Sequence, residues 1–307
     1  MSVFFLILLN VILPVFLLIG AGVFLHRKFN FDMNTLSKLN TYFLMPCVSF
    51  SNIYENNVGG KTLIHILGFL ILQCCSLMFI SSAISKAAKF DNGLASTFKN
   101  SVVLNNSGNF GLPVSQLVFQ HNPLGASIQI VVMIFQNLLT YTYGLLNCVA
   151  VDDSRFKAIK KFLKNPVIYA FLLGLVLHSL HIKLPGFLWT PIKNTSDAFL
   201  AVALVTLGAQ SAYIKLNHFS LPLFLSLFGR LILSPIIAFL IILLVKLEGT
   251  TAQALFIASS FPTSRNSALF ALEYDNNPEI AAQIVLMSTL LSMITVTTVV
   301  FLSTFLF

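Results

Sequence analysis

The residues best suited to bind a ligand form two short polar segments inside otherwise apolar stretches. The first, 105–113, reads Asn-Asn-Ser-Gly-Asn-Phe-Gly-Leu-Pro, and no Asp, Glu, Lys or Arg occurs between Asn100 and Val151. The second, 259–267, reads Ser-Ser-Phe-Pro-Thr-Ser-Arg-Asn-Ser. Asn, Gly and Pro disfavour a helix interior, and unpaired backbone groups at membrane depth are tolerated only beside a cavity or packed protein. Each segment therefore predicts a broken helix at a transport site.

The chemistry of these two segments suits an anion, particularly a carboxylate. Amide and hydroxyl groups can donate hydrogen bonds, and the N-termini of helices that restart after a break carry partial positive charge. The predicted substrate contacts are Asn105, Asn106, Asn109, Gly111, Pro113, Pro262, Thr263, Ser264, Arg265 and Asn266. Arg265 would supply the countercharge, or it could be a structural cation paired with Glu273. Segment 105–113 could also be a loop between two short helices.

Three further residues lie in apolar segments where a polar group or a proline needs a reason. Pro46 is predicted to form a cavity wall or a hinge, with a plain helix kink as the alternative. Asn137 is a second candidate for the cavity wall, although it could simply hydrogen-bond across a helix interface. Arg230 is expected near a cytoplasmic helix end, where its side chain would reach lipid phosphates.

The elements that position these residues are membrane-spanning helices, as composition indicates. Hydrophobic residues make up 57% of the 307 residues and charged residues only 9%, whereas a soluble domain carries about 25% charged residues. At roughly 20 residues per span, the chain reads as an all-α polytopic membrane protein. The ten predicted spans are 3–25, 34–53, 62–84, 97–119, 125–149, 165–181, 190–212, 220–245, 251–272 and 280–305.

The distribution of Lys and Arg predicts the orientation of these spans. Twelve of the 18 basic residues lie on one set of connections, including the run 155–164, and four lie on the other set. Because basic connections stay in the cytoplasm, both termini are expected outside the cell membrane. The basic run is then a topology signal, and no nucleic-acid partner is expected.

Short matches suggest that the second half of the chain repeats the first. Gln-Ile-Val at 129–131 recurs at 283–285, an offset of 154 that also carries segment 105–113 onto segment 259–267. With five spans per copy, the second copy must be inverted in the membrane. The predicted organisation is a repeat at 1–151, a short cytoplasmic linker at 152–164 and an inverted repeat at 165–307.

The sequence does not indicate an enzyme. It lacks a Gly-x-Ser-x-Gly nucleophile motif, a His-Glu-x-x-His metal motif and paired aspartates within a span. The four cysteines fall in apolar segments without metal-ligand spacing, so neither a metal nor a cofactor is expected. A coupling ion, sodium or a proton, is left open.

Several motifs resemble the auxin efflux carrier family, which includes plant auxin exporters and bacterial malate and malonate permeases. The pattern Asn-x-Gly-Asn-x-Gly-Leu-Pro is present at 106–113, after three apolar spans. Further similarity is found in Leu44-Met45-Pro46, in Arg230 with Ser234-Pro235, and in Pro262 followed by Asn266 and Ala271-Leu272-Glu273-Tyr274.

This resemblance covers essentially the whole chain and has consequences for the fold and the site. It implies ten helices in two inverted five-helix repeats, with a scaffold domain and a transport domain that holds crossover helices four and nine. It places crossover residues in the substrate pocket, which by position are Asn105, Asn109, Pro113, Pro262 and Asn266. The long cytoplasmic loop of the plant exporters is missing, because only about 151–164 joins the halves.

The combined expectation is a secondary transporter of small organic anions that works by alternating access. Mono- and dicarboxylates, with auxin-like acids among them, are the expected substrates. A cation/proton antiporter and a sodium-coupled bile-acid-type symporter are the alternatives on related plans. The expected partners are the anion and the lipid bilayer, and a homodimer is one arrangement left open.

Overall fold

Helices account for nearly all of this computed structural model, which describes residues 3–55, 59–148, 166–213 and 220–307. Apart from short connections, the described chain contains one isolated antiparallel β-bridge. The helices are α1 Phe4–Phe29, α2 33–55, α3 Gly60–Ala87, α4 Asn92–Val103, α5 107–118, α6 Pro123–Cys148, α7 Pro166–Ser179, α8 Gly186–Ser211, α9 Leu221–Val245, α10 Gly249–Ser259, α11 Arg265–Glu273 and α12 Pro278–Leu306.

The described residues thus form twelve helices where ten spans were expected. Predicted spans 97–119 and 251–272 are each divided in two, the first into α4 and α5 and the second into α10 and α11. Both divisions fall at the polar segments, because extended backbone replaces the helix at 104–106 and around 261–264. The expected linker 152–164 lies outside the described residues.

The surface of the described helices is strongly apolar. Five helices, α1, α3, α6, α9 and α12, are long and apolar enough to cross a membrane by length and composition. Their outward side chains include Leu17, Phe79 and Leu244, which are 64%, 76% and 77% exposed. Hydrocarbon chains can cover such a surface, whereas water cannot do so without cost. These apolar helices and their exposed apolar side chains are typical of a multi-pass membrane protein.

The described helices contain five π-helical turns. One, Thr140–Gly144, has no proline shortly after it, and the other four each end two residues before a proline. They are Leu8–Ile12 before Pro14, Asn40–Leu44 before Pro46, Ser107–Gly111 before Pro113 and Gly229–Leu233 before Pro235. Proline has no N–H, and its ring would clash with the carbonyl four residues earlier in a regular α-helix. The wider turn gives the ring room, so the helix continues past the proline.

Helices α1 and α8 pack so closely that glycine is required at the contact. A Cβ at Gly22 would lie 2.1 Å from the carbonyl oxygen of Val205, and one at Gly208 would lie 1.9 Å from that of Ile19. The pair is also joined at its end, because the Arg27 side chain donates to the Ala212 carbonyl oxygen at 2.8 Å. Small residues at helix interfaces are typical of membrane proteins, where close backbone approach provides the packing energy.

The divided helices meet in the interior of the molecule. Phe110 of α5 and Phe261 are fully buried, and their rings make an edge-to-face contact with centroids 6.0 Å apart. Leu104, next to the first break, is also fully buried. This apolar packing fixes the position of two non-helical segments whose backbone groups have to find partners inside the protein.

Candidate functional site

The two breaks cross and pair with each other through their backbones. Asn105 and Thr263 form the antiparallel β-bridge. The Asn106 N–H donates to the Pro262 carbonyl at 2.8 Å, and the Ser264 N–H donates to the Leu104 carbonyl at 2.9 Å. A buried backbone group without a partner costs roughly 1–3 kcal/mol. Each break therefore supplies the hydrogen bonds that the other lost when its helix was interrupted.

Side chains from each break also reach the helix end on the other side of the crossing. The Asn105 Nδ2 donates to the Ala258 carbonyl of α10 at 3.2 Å, and the Thr263 Oγ1 donates to the Ser101 carbonyl of α4 at 2.9 Å. The Thr263 N–H is bound by the Ser288 Oγ of α12 at 3.1 Å. These contacts are reciprocal, so the two breaks form one rigid unit.

A cavity of about 220 Å³ opens beside this crossing. It is lined by Thr41, Met45, Asn105, Asn106, Ser107, Gly108, Asn109, Gln136, Asn137, Thr140, Ser264, Arg265, Asn266 and Leu269. The first residues of α5 and the first residues of α11 are both in this lining, so two helix N-termini face the same space. Their partial positive charges favour a negative ligand.

Several amide atoms at the cavity are buried and have no hydrogen-bond partner among the residues that the structure describes. They are the Asn105 Oδ1, the Asn106 Nδ2, the Asn109 Oδ1 and the Gln136 Oε1. Asn106 is only 6% exposed, so its amide is far from bulk water. Buried polar groups are nearly always paired. A cluster of unpaired ones around a cavity indicates that a ligand or water completes their hydrogen bonds.

Arg265 brings a positive charge to the same cavity. It is the first residue of α11, directly after Ser264, whose side chain caps the helix by accepting from the Asn266 N–H at 3.3 Å. The Arg265 side chain is half-buried, and its Nη1 donates to the Ser37 Oγ of α2 at 3.3 Å. Its expected alternative partner, the carboxylate of Glu273, lies outside the described part of the structure.

The predicted site residues divide into two groups. Those that line the cavity are Asn105, Asn106, Asn109, Asn137, Ser264, Arg265 and Asn266. Those that stand behind the lining are Pro46, Gly111, Pro113, Pro262 and Thr263. Gly111 is packed against the Phe261 ring, and Pro262 contributes its backbone carbonyl to the crossing. Pro46 follows the π turn of α2, whose neighbouring Met45 lines the cavity.

The expected position of Arg230 is wrong. The side chain is only 1% exposed and lies at the crossing, not at a helix end near lipid phosphates. Its Nη1 donates to the Val102 carbonyl at 2.9 Å, and its Nη2 donates to the Ser259 carbonyl and to the Ser234 Oγ. The cavity lining also includes three polar residues that the sequence did not indicate, namely Gln136, Thr140 and Thr41, from helices that pack against the crossing. The position of Gln136 next to Asn137, in an uncharged segment, was the available signal.

The known proteins that this chain resembles are all described as transporters, and the similarity covers most of its length. A sequence model of the family described as membrane transport protein matches residues 7–300. A protein of Methanothermobacter thermautotrophicus described as an uncharacterized transporter is 24% identical over 302 residues, covering 96% of this chain and 94% of the relative. An uncharacterized transporter of Methanocaldococcus jannaschii is 24% identical over 270 residues, covering 85% and 86%.

Proposed function

The chain belongs to the membrane transport protein family, the auxin efflux carrier family that its motifs resemble, and from this premise we propose that it is a secondary transporter of small organic anions. The observation that carries the proposal is the cavity at the crossing. There a guanidinium, two helix N-termini and the unpaired Asn106 Nδ2 donor converge on one space, beside three unpaired amide oxygens that water or a substrate hydroxyl would satisfy. Such groups would stabilise a carboxylate that has left water.

The size of the cavity favours short substrates. A volume of about 220 Å³ is below the roughly 300–1,000 Å³ of pockets that hold drug-sized ligands. Short mono- and dicarboxylates are therefore the expected substrates in the observed conformation. An auxin-like acid, with its fused rings, would need the cavity to widen by movement of α2 or α6.

We assign separate roles to the groups around the cavity. Arg265 supplies the countercharge, while Asn106, Asn109 and Asn266 offer hydrogen bonds to the carboxylate oxygens. Asn105 is held by the Ala258 carbonyl, so its oxygen faces the cavity as an acceptor. Thr263 and Pro262 act through the backbone crossing, and Gly111 and Pro113 shape the start of α5.

The architecture that fits this function is ten spans in two inverted repeats, 1–151 and 165–307, joined at 152–164. Helix pairs α4–α5 and α10–α11 would be the two crossovers of a transport domain. Helices α1, α2, α7 and α8 would form the scaffold, since α1 packs on α8 at glycine contacts and α2 packs on α7 near Gly174. Alternating access would move the crossing as a unit past this scaffold, in the cell membrane and with both termini outside.

The related cation carriers are less compatible with the residues at the crossing. A cation/proton antiporter needs a carboxylate that binds and releases the cation, and neither 105–113 nor 259–267 contains Asp or Glu. A sodium-coupled symporter would need an open cation site, whereas a buried arginine occupies the carbonyl-rich side of the crossing. The residues at the crossing therefore favour an organic-anion transporter over both cation-dependent carriers.

Counterflow in proteoliposomes tests the proposal. Vesicles loaded with one carboxylate from a panel of C2–C6 acids should accumulate the same radiolabelled acid. We expect Arg265→Gln to reduce this exchange at least tenfold, because a charge-assisted hydrogen bond contributes about 1.5–3 kcal/mol. Arg27→Gln is the matched control, since this arginine binds the end of α8 away from the cavity.

Two results would contradict the proposal at different levels. If no organic anion exchanges while sodium or protons move, the substrate class is wrong. If Arg265→Gln and Asn109→Ala exchange carboxylates at the wild-type rate, the assigned site is wrong even though the protein transports anions.

A further inference from the structure

Arg230 lies at the crossing but is not among the residues that line the cavity. It belongs to the π turn of α9, and its guanidinium reaches between the ends of α4 and α10. There it donates to the Val102 carbonyl, the Ser259 carbonyl and the Ser234 Oγ. The Ser234 Oγ in turn donates to the same Ser259 carbonyl at 2.9 Å.

The acceptors of this arginine are helix C-termini. Val102 is one residue from the end of α4, and Ser259 is the last residue of α10. At the end of a helix the last four carbonyls have no partner within the helix, and they carry partial negative charge. The crossing therefore has two faces, one with the N-termini of α5 and α11 and one with the C-termini of α4 and α10.

The C-terminal ends of α4 and α10 have the chemistry of a cation site, because their carbonyl oxygens carry partial negative charge. In carriers with broken helices, unwound carbonyls and the C-terminal ends of half-helices coordinate the coupling sodium ion or proton. Here two such carbonyls and one hydroxyl are gathered around a guanidinium. Among the side chains that the structure describes, no carboxylate forms an ion pair with Arg230. The helix ends are its counterions.

We propose that Arg230 is a built-in cation that occupies the place of a coupling ion, so that this protein moves its anion without sodium or another alkali cation. The inference rests on the proposed transport function. A guanidinium covalently attached to α9 holds both breaks together in every state of the transport cycle. It also repels a second cation, because like charges at close range in a protein interior are strongly unfavourable.

The first test is the cation dependence of transport by the wild-type protein. Carboxylate uptake into proteoliposomes should be the same within about twofold in sodium, potassium or choline chloride of equal ionic strength. A tenfold or greater stimulation by an inward sodium gradient would overturn the inference. This measurement does not depend on whether any Arg230 variant folds.

The second test uses thermal unfolding in detergent and needs no substrate, so it remains informative even if the proposed function fails. Arg230→Ser should unfold at a lower temperature than the wild type in N-methylglucamine chloride. Sodium or lithium should then raise its midpoint saturably, by roughly 5 °C at about 100 times the dissociation constant, because a small cation can fill the vacated carbonyl site.

The matched control is Arg27→Ser, which removes another arginine that caps a helix end but lies outside the crossing. Its midpoint, and that of the wild type, should not respond to the identity of the cation. If Arg230→Ser is folded and loses stability with no cation-specific recovery, Arg230 is only a structural cap and the inference is wrong.

Discussion

Gly111 offers a quantitative test of how tightly the two breaks are packed together. A Cβ at this position would lie 2.5 Å from the Phe261 Cδ2, 2.6 Å from its Cε2 and 2.9 Å from the Gln129 Nε2. The Phe261 ring is fully buried and directly precedes Pro262 at the second break. It cannot move away without shifting the crossing. Gly111→Ala should therefore destabilise the protein, although alanine is ordinarily the better helix former.

The size of this effect follows from two opposing contributions. Overpacking a buried site costs about 1–3 kcal/mol, and replacing glycine by alanine within a helix returns about 0.5–1 kcal/mol. A Cβ contact of 2.5 Å puts the overpacking cost in the upper part of this range, at about 2–3 kcal/mol, so the net loss should be about 1–2.5 kcal/mol. At about 2–4 °C per kcal/mol for a chain of a few hundred residues, the midpoint of thermal unfolding should fall by roughly 2–10 °C.

The measurement is thermal unfolding of the purified protein in detergent, with Gly68→Ala as the matched control. Gly68 lies within α3, and a Cβ there would meet no atom within 4 Å. This variant should be as stable as the wild type or slightly more stable. Adding Phe261→Leu to Gly111→Ala should recover at least half of the lost stability. If Gly111→Ala unfolds at the wild-type temperature, the close packing of the breaks is not real.

Three other substitutions test separate features. Gly208→Ala should lower the free energy of unfolding by more than Gly111→Ala does, by over about 3 kcal/mol, because its Cβ would meet the Ile19 carbonyl, a backbone group that cannot rotate away. A thermal unfolding midpoint equal to or above that of the wild type would contradict the close packing of α1 on α8. Asn106→Leu should leave the unfolding midpoint unchanged or raise it, because the substitution removes an unpaired buried amide. Carboxylate counterflow should fall at least tenfold in the same variant, and unchanged counterflow would exclude Asn106 from the site. Hydrogen bonds from the Thr35 hydroxyl and the Asn34 N–H hold the pKa of Asp32 below its usual value. The ionised carboxylate therefore stabilises the start of α2 at pH values above the ordinary carboxyl pKa, and this stabilisation is lost as the pH falls through the lowered pKa. Asp32→Asn should therefore flatten the acid side of the stability profile measured between about pH 2 and pH 6, and an unaltered profile would refute this role.

The breaks were predictable from sequence because they depend on residue type. Asn, Gly and Pro cannot continue an apolar helix without penalty, and the internal offset of 154 identified the second segment from the first. Asn106, Asn109, Arg265 and Asn266 are in the cavity lining because they lie at or next to the point where a helix restarts. Their contact with a substrate stays a prediction.

Other parts of the site depend on backbone geometry, which residue types do not reveal. Arg230 was misplaced because its partners are main-chain carbonyls that become available only where two distant helices end together. Gln136 and Thr41 belong to continuous helices, and a few degrees of rotation decide whether they face the cavity. Pro113 and Gly111 belong to the polar motif, yet they pack behind the lining because α5 has already begun there.

The π turns before Pro14, Pro46, Pro113 and Pro235 have a consequence for how chain length can vary. A π turn is one residue longer than the α-helical path it replaces. Deleting a residue from a regular helix rotates everything beyond it by about 100° and turns the buried face outward. A deletion inside one of these four turns would instead return the helix to its ordinary winding, provided that the following proline, whose ring needs the wider turn, is replaced as well. Insertions and gaps of a single residue among relatives should therefore collect at these four places, with the faces of the flanking helices unchanged.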